Sequence, residues 1–207
     1  VIFGKLYGQQ AEGMARKMRE EGVEITVEPA AVIDRAIDDQ YPLCARYFGD
    51  AAARPGQFGF LQTCFGRHRR FMPTIDEQIA AAQSREAMNF PMQGSVADAM
   101  QTAMGHLYRY RRENGMEDAY TINLQVHDAI VLEVAVEHLD RVVDEVLPVC
   151  MSDRVTIWPT DHSGKRKPGG PFHLKAPPAD VFERWSVPLN PADCERLGIS
   201  SRYATSA

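Results

Sequence analysis

Tyr120–Val136 reads YTINLQVHDAIVLEVAV, two apolar, β-branched runs, Thr121–Val126 and Ile130–Val136, on either side of His127-Asp128-Ala129. Runs of that composition around so short a step predict a tight β-hairpin with the acid at its bend. A carboxylate at the tip of a strand pair packed on one face is presented rather than buried. Its oxygens suit a hard dication, Mg²⁺ above all. One carboxylate seldom makes a metal site alone, and an Asp serving only as a turn former beside a solvated His is the plainer reading of this stretch by itself.

Other polar groups lie upstream. Arg85 and Asn89 are four apart and share one side of a helix predicted over Ile75–Met88. With Gln93 they can donate to phosphate, sugar or base edges just before a second helix. That helix is expected to follow a break at Pro91 and to be capped by Ser95 with Asp98, a Ser-x-x-Asp pattern. The alternative is that these residues merely tie the helix start to a neighbouring loop. Near the beginning, Phe3 and Tyr7 of Phe3-Gly4-Lys5-Leu6-Tyr7-Gly8 fall on one helical face, a spacing that also suits an aromatic core stripe. Arg67-His68-Arg69-Arg70, Arg109-Tyr110-Arg111-Arg112 and Lys165-Arg166-Lys167 concentrate positive charge, as solvated faces or as phosphate-seeking patches.

Composition sets the frame for these groups. A chain of 207 residues with 44% hydrophobic and 25% charged residues falls in the soluble globular class. It has no apolar run near the roughly 20 residues of a bilayer span and no signal-peptide pattern, so a cytoplasmic protein is expected. Cys44, Cys64, Cys150 and Cys194 lack Cys-x-x-Cys or zinc-ligand spacing and read as free thiols. A net charge of −5 does not advertise a nucleic-acid binder, so any such role requires locally sorted charge.

The elements that must position these groups follow from periodicity. Gln9–Glu21 is helical and ends at Gly22; Glu28-Pro29 opens a longer helix that Pro42 should break before Leu43–Phe48. Ala51–Gln57, with Pro55-Gly56, reads as a loop. Phe58–Cys64 and Phe71-Met72 are expected to pair as strands around Phe65–Arg70. Asp76 stands at a helix start, where the dipole accounts for it. Glu137–Leu147 is amphipathic and should stop at Pro148. Val155–Trp158 is expected to join the sheet of the hairpin. Asp161–Pro171 and Pro177–Pro188 read as loop, with limited helix around Val181–Trp185.

In this order, Phe3–Gly8, Arg85–Asp98 and His127-Asp128 resemble family A DNA polymerases, over about Val1 to Pro159. The resemblance implies an α+β fold forming an incomplete right hand. It implies fingers helices over 1–57, a palm with an antiparallel sheet and catalytic hairpin over 58–175, and a tail of unknown role over 176–207. Phe3 would lie against the incoming nucleotide and Tyr7 would stack by the template base, with Gly8 in the same motif. Thr63-Cys64-Phe65-Gly66-Arg67 is similar to the family's Thr-Leu-x-Gly-Arg-Arg-Arg, which makes Arg67 the phosphate contact; a guanidinium fork can bond two phosphate oxygens at once. Arg85, Asn89 and Gln93 would touch the duplex through its minor groove and sugars, where pair shape is checked without reading sequence. His127 would approach the primer terminus. Asp128 matches the second of two acids that bridge two Mg²⁺ ions.

The implied partners are primer–template DNA and dNTPs. Two departures qualify the match. The first acid, in a motif Asp-x-Ser-x-x-Glu-x-Arg, and the Arg/Lys pair that grips the nucleotide phosphates have no counterpart in these 207 residues. Polymerisation is therefore expected to need an N-terminal polymerase chain or N-terminal part, and this chain alone to be inactive. Ala129 stands where the family has an accessory Glu. Two other readings stay open: a non-catalytic primer–template binding module, and an interaction domain whose exposed apolar edge meets another chain.

Overall fold

The computed structural model describes residues 8–158, 165–166, 169–173, 179–184 and 187–204. Phe3 and Tyr7 thus lie outside the described residues, as do Lys167 and Trp185. The described residues are helices and two-stranded antiparallel sheets, an α+β architecture. They fall into two compact units divided within one long helix, between Val96 and Ala97.

In the first unit, α1 (Ala11–Glu20) and α2 (Val27–Gln40) bury Met14 and Ala15 against Ala30, with Met18, Ile25, Ile33 and Ile37 around them. α3 runs unbroken over Pro42–Phe58, so the loop expected over Ala51–Gln57 is absent. Pro42 opens this helix, where its missing N–H costs nothing, and Pro55 forfeits one internal bond in a run of alanines that favours helix. Gly59, at φ +70, ends it. The first strand is shorter than expected and its partner lies earlier: β1 (Phe60–Gln62) pairs with β2 (His68–Arg70), not with Phe71-Met72. The Thr63 N–H to Arg67 carbonyl bond (2.9 Å) and Gly66 at φ +92 close the turn early. Phe71 is released into a core with Ala51, Leu61 and Ala87.

α4 spans Glu77–Glu113 without interruption, where two helices separated at Pro91 were expected. Asp76 caps it, accepting from the N–H groups of Gln78 (2.8 Å) and Ile79 (3.1 Å). Ser95 does not cap a new helix. Inside α4 its hydroxyl donates back to the Pro91 carbonyl and accepts from the Cys64 N–H (3.1 Å). Helical residues on both sides thus carry the chain past a proline that removes only one bond.

The second unit contains the end of α4, the hairpin β3 (Tyr120–Val126) and β4 (Ala129–Val134), and a mixed helix that follows. Leu107, Tyr110, Met116, Tyr120, Val142, Val146 and Cys150 form its core, with Ile122, Ile130, Leu132 and Val134 packed against them. Pro148 does not stop the mixed helix. Wide turns over Val142–Val146 and Val149–Asp153 flank the proline, and the added radius accommodates its ring without ending the helix. β5 (Thr156–Ile157) pairs with β6 (Phe172–His173), not with the hairpin as expected. β7 (Phe182–Arg184) pairs with β8 (Val187–Pro188), replacing the helix expected around Val181–Trp185. α5 (Pro191–Leu197), which periodicity did not reveal, starts at an Asn190–Asp193 capping box. All four cysteines are free thiols. Among the described residues no helix is long and apolar enough to cross a membrane.

The segment after α5 is fastened to the mixed helix by Arg202. Its guanidinium donates to Asp140 (2.7 Å) and Asp144 (2.8 Å), and the Tyr203 hydroxyl donates to Asp140 (2.8 Å). The Tyr203 bond, followed by Arg202, holds the Asp140 carboxyl below the usual carboxylate range. A lowered folded pKa means that the fastening contributes above the ordinary carboxylate pKa and is lost as pH falls through the lowered value. Arg202→Ala is expected to speed amide exchange over residues 187–204 while leaving β3 and β4 protected; unchanged exchange in that segment would contradict the fastening.

Candidate functional site

Asp128 is placed by the shortest possible device. Val126 pairs with Ala129, so His127 and Asp128 are the two central residues of the turn, and both are exposed. His127 has φ +52, a left-handed backbone that a non-glycine residue adopts at a cost, and such outliers gather at functional sites. The Gln125 side chain donates to the His127 carbonyl (3.0 Å) and steadies the turn. Lower down, the register shifts between Ile122 and Leu124, leaving Asn123 as a bulge whose amide reaches Glu133 on β4 (3.4 Å). Bulges add local twist and re-aim the strand end, and this one lies between the buried base and the exposed tip.

The chemistry open to this tip is that of a carboxylate ligand. An exposed, rigidly mounted Asp fits one position around a hard dication. Among the described residues, however, no three His, Cys, Asp or Glu side chains gather where they could hold a metal. The donor set at this tip is a single carboxylate.

The remaining candidates gather in the first unit. Gly8, at φ +76, packs on α4: a Cβ there would fall 2.3 Å from the Met88 Cε and 3.5 Å from the Arg85 Cγ. The Asn89 amide donates to the Arg85 carbonyl (3.0 Å), which settles its side chain on the helix beside Arg85. Arg85 and Gln93 are exposed. Arg67, from the β1–β2 turn, reaches α4: its Nη2 donates to the Gly94 carbonyl (3.1 Å), and its guanidinium carbon lies 5.7 Å from the centre of the Phe90 ring. Its neighbour Arg69 is paired with Glu86 (2.7 Å), so the basic run Arg67–Arg70 is partly neutralised by α4.

The structure thus brings Gly8, Arg67, Arg85, Asn89 and Gln93 together around one stretch of α4, and His127 with Asp128 on the hairpin. Sequence reading missed Phe90 and Gly94, which contact Arg67. No local signal pointed to either, since the sequence placed Gly94 between two helices rather than inside one.

The family model for DNA polymerase family A matches residues 1–158. The chain is 39% identical over 160 residues to DNA polymerase I of Pseudomonas aeruginosa, a match covering 76% of this chain and 16% of that one. It is 36% identical over 160 residues to DNA polymerase I of Chloroflexus aurantiacus, covering 75% of this chain and 16% of the relative. Among solved structures, it is similar to the POL domain of Pol1 from M. smegmatis, described in complex with DNA primer-template and dNTP. The TM-score is 0.65 at 27% identity, over 73% of this chain and 26% of that one. The chain therefore spans about a sixth of the length of these curated relatives.

The strain at His127 is open to measurement. His127→Gly relieves the left-handed backbone but loosens the unfolded chain, so stability should rise by a net amount of about 0.5–1 kcal/mol. Denaturant unfolding would read the gain, and an unchanged or lower midpoint would remove strain from the account of this turn.

Proposed function

The chain belongs to DNA polymerase family A, and we propose that it serves template-directed nucleotidyl transfer on DNA, supplying fingers and the hairpin-bearing palm of a polymerase. On this reading residues 1–57 are fingers, 58–175 palm and 176–207 an added tail. The observation that carries the proposal is Asp128 itself, an exposed carboxylate on a two-residue turn whose strands are buried at their base.

Asp128 would be one of the ligands of a pair of Mg²⁺ ions, which in such a site activate the primer hydroxyl and neutralise the leaving pyrophosphate. The donor chemistry fits, but one carboxylate cannot position two dications. The other acids, and the cations that grip the nucleotide phosphates, would come from polypeptide outside these 207 residues, so that this chain by itself is inactive. The chain's own residues supply the rest of the proposed work. His127 lies beside Asp128 and would meet the primer end. Gly8, with Phe3 and Tyr7, would border the nascent pair. Arg67 would bind a phosphate of the primer–template, and Arg85, Asn89 and Gln93 would follow the minor groove, where degenerate acceptors allow pair shape to be tested whatever the sequence. Ala129 leaves Asp128 as the sole acid on the turn.

The test is primer extension with Mg²⁺ and dNTPs by the complete polymerase that contains these residues. Asp128→Ala should lower extension by about a thousandfold or more, the several kcal/mol that metal-assisted charge stabilisation supplies, while primer–template binding persists. Undiminished extension by that variant would refute the catalytic role of Asp128. Binding without extension by the unaltered polymerase would instead favour a non-catalytic primer–template holder.

A further inference from the structure

Gly94 occupies the middle of α4, where helix propensity disfavours glycine. Its backbone does not have a positive φ, so a special conformation is no reason for it. Space is the reason. A Cβ at Gly94 would lie 2.8 Å from the Thr63 Cγ2, 3.2 Å from the Phe90 Cε2 and 3.4 Å from the Arg67 Nη2. The first separation is shorter than carbon atoms tolerate, so a neighbour would have to move. Other helical glycines are less confined: a Cβ at Gly49 or Gly56 would face open space, one at Gly105 would lie 4.0 Å from its nearest atom, and one at Gly13 would meet only the Gln9 side chain, at 3.0 Å.

All three groups crowding Gly94 belong to one assembly, the seat of Arg67. The Arg67 N–H donates to the Thr63 hydroxyl (3.1 Å) and its carbonyl accepts from the Thr63 N–H (2.9 Å). The Cys64 N–H donates to Ser95 (3.1 Å), which ties the turn to the next residue of α4. At the far end, the guanidinium donates to Gly94 and lies over the Phe90 ring, a cation–π contact. A guanidinium is planar with its donors in a fixed fork, so an edge bond and a face contact together set the direction in which the group presents itself.

We propose that Gly94 and Phe90 are positioning residues for Arg67, holding its guanidinium in advance in the orientation that receives a nucleic-acid phosphate. The proposal rests on the phosphate role assigned to Arg67 above. It adds that the role depends on a missing side chain across the seat. Preorganisation of this kind lowers the ordering cost of binding without touching the ligand.

The experiment follows primer–template affinity of the complete polymerase across a salt series. Each phosphate neutralised by a cationic side chain adds about 0.9 to the slope of log affinity against log salt. Arg67→Ala should lower that slope by about one contact, Gly94→Ala should lower it by a similar amount, and the double variant should lose no more than Arg67→Ala alone. Thr63→Ser removes the methyl that the new Cβ would strike and keeps the hydroxyl that Arg67 uses. Combined with Gly94→Ala it should recover most of the slope. Should Gly94→Ala fail to fold, Phe90→Leu reads the same seat, weakening binding in the parent and leaving the Arg67→Ala background unchanged. A parental slope in Gly94→Ala, or additive losses in the double variant, would overturn the proposal. If Arg67→Ala itself leaves the slope unchanged, the phosphate role fails; the seat then stands only if Thr63→Ser restores the melting temperature that Gly94→Ala lowers.

Discussion

A carboxylate on a two-residue turn keeps its place only while the strands beneath it cannot slip, and in β3–β4 the buried base opposes slipping. A shift of one residue would exchange the two faces of the ribbon, exposing Ile122, Ile130, Leu132 and Val134, which pack on the core. Tyr120, 2% exposed, anchors the base through its hydroxyl, which donates to the Leu107 carbonyl (2.7 Å). Burial pushes that hydroxyl up to about 12. Burial likewise pushes the Cys150 thiol beneath the hairpin up to about 11, which keeps it an apolar filler rather than a nucleophile. Each large apolar side chain buried here contributes about 1.5–3 kcal/mol. The left-handed backbone of His127 costs about 1–2 kcal/mol, so the base can hold a strained tip.

The mixed helix transmits the same constraint. Val142 and Val146 face the hairpin, and on the same helix Glu145 accepts from the Tyr110 hydroxyl and from Arg141 (3.3 Å). The Tyr110 bond is the main reason that the Glu145 carboxyl titrates below its ordinary value. Arg202 fastens the last described segment to Asp140 and Asp144, in the turn before and beside Glu145. That segment lies beyond the family match, which ends at residue 158. That segment is thus tied to the helix on which the Asp128 hairpin rests.

Much of this was legible in the sequence because it rests on local chemistry. The hairpin and its acidic tip follow from two β-branched runs and a three-residue gap, which the structure shortens to two by pairing Ala129 with Val126. Asp76 follows from the needs of a helix start, and α1 and α2 from apolar spacing. Three misreadings share one cause: proline was taken as punctuation. At Pro55, Pro91 and Pro148 the helix continues, because one lost bond is outweighed by flanking helix formers, by the hydroxyl of Ser95, or by a widened turn. Ser95 was read as a cap since its type and its spacing to Asp98 fit one. Its actual partner, Cys64, is 31 residues away, and no local pattern encodes that contact. Phe90 and Gly94 escaped notice for the same reason, since a glycine that makes room for another strand turn is recognised only when the turn is in place. The β5–β6 and β7–β8 pairs are two or three residues long, below what alternation can reveal.

The central claim is that Asp128 is one jaw of a dication clamp completed by other polypeptide. The most direct test counts Mn²⁺ ions, as a spectroscopic substitute for Mg²⁺, bound to the complete polymerase with primer–template and a non-reacting nucleotide, by electron paramagnetic resonance. Asp128→Asn should lose or weaken at least one bound ion, with DNA affinity retained. An unchanged ion count and affinity in that variant would contradict the claim.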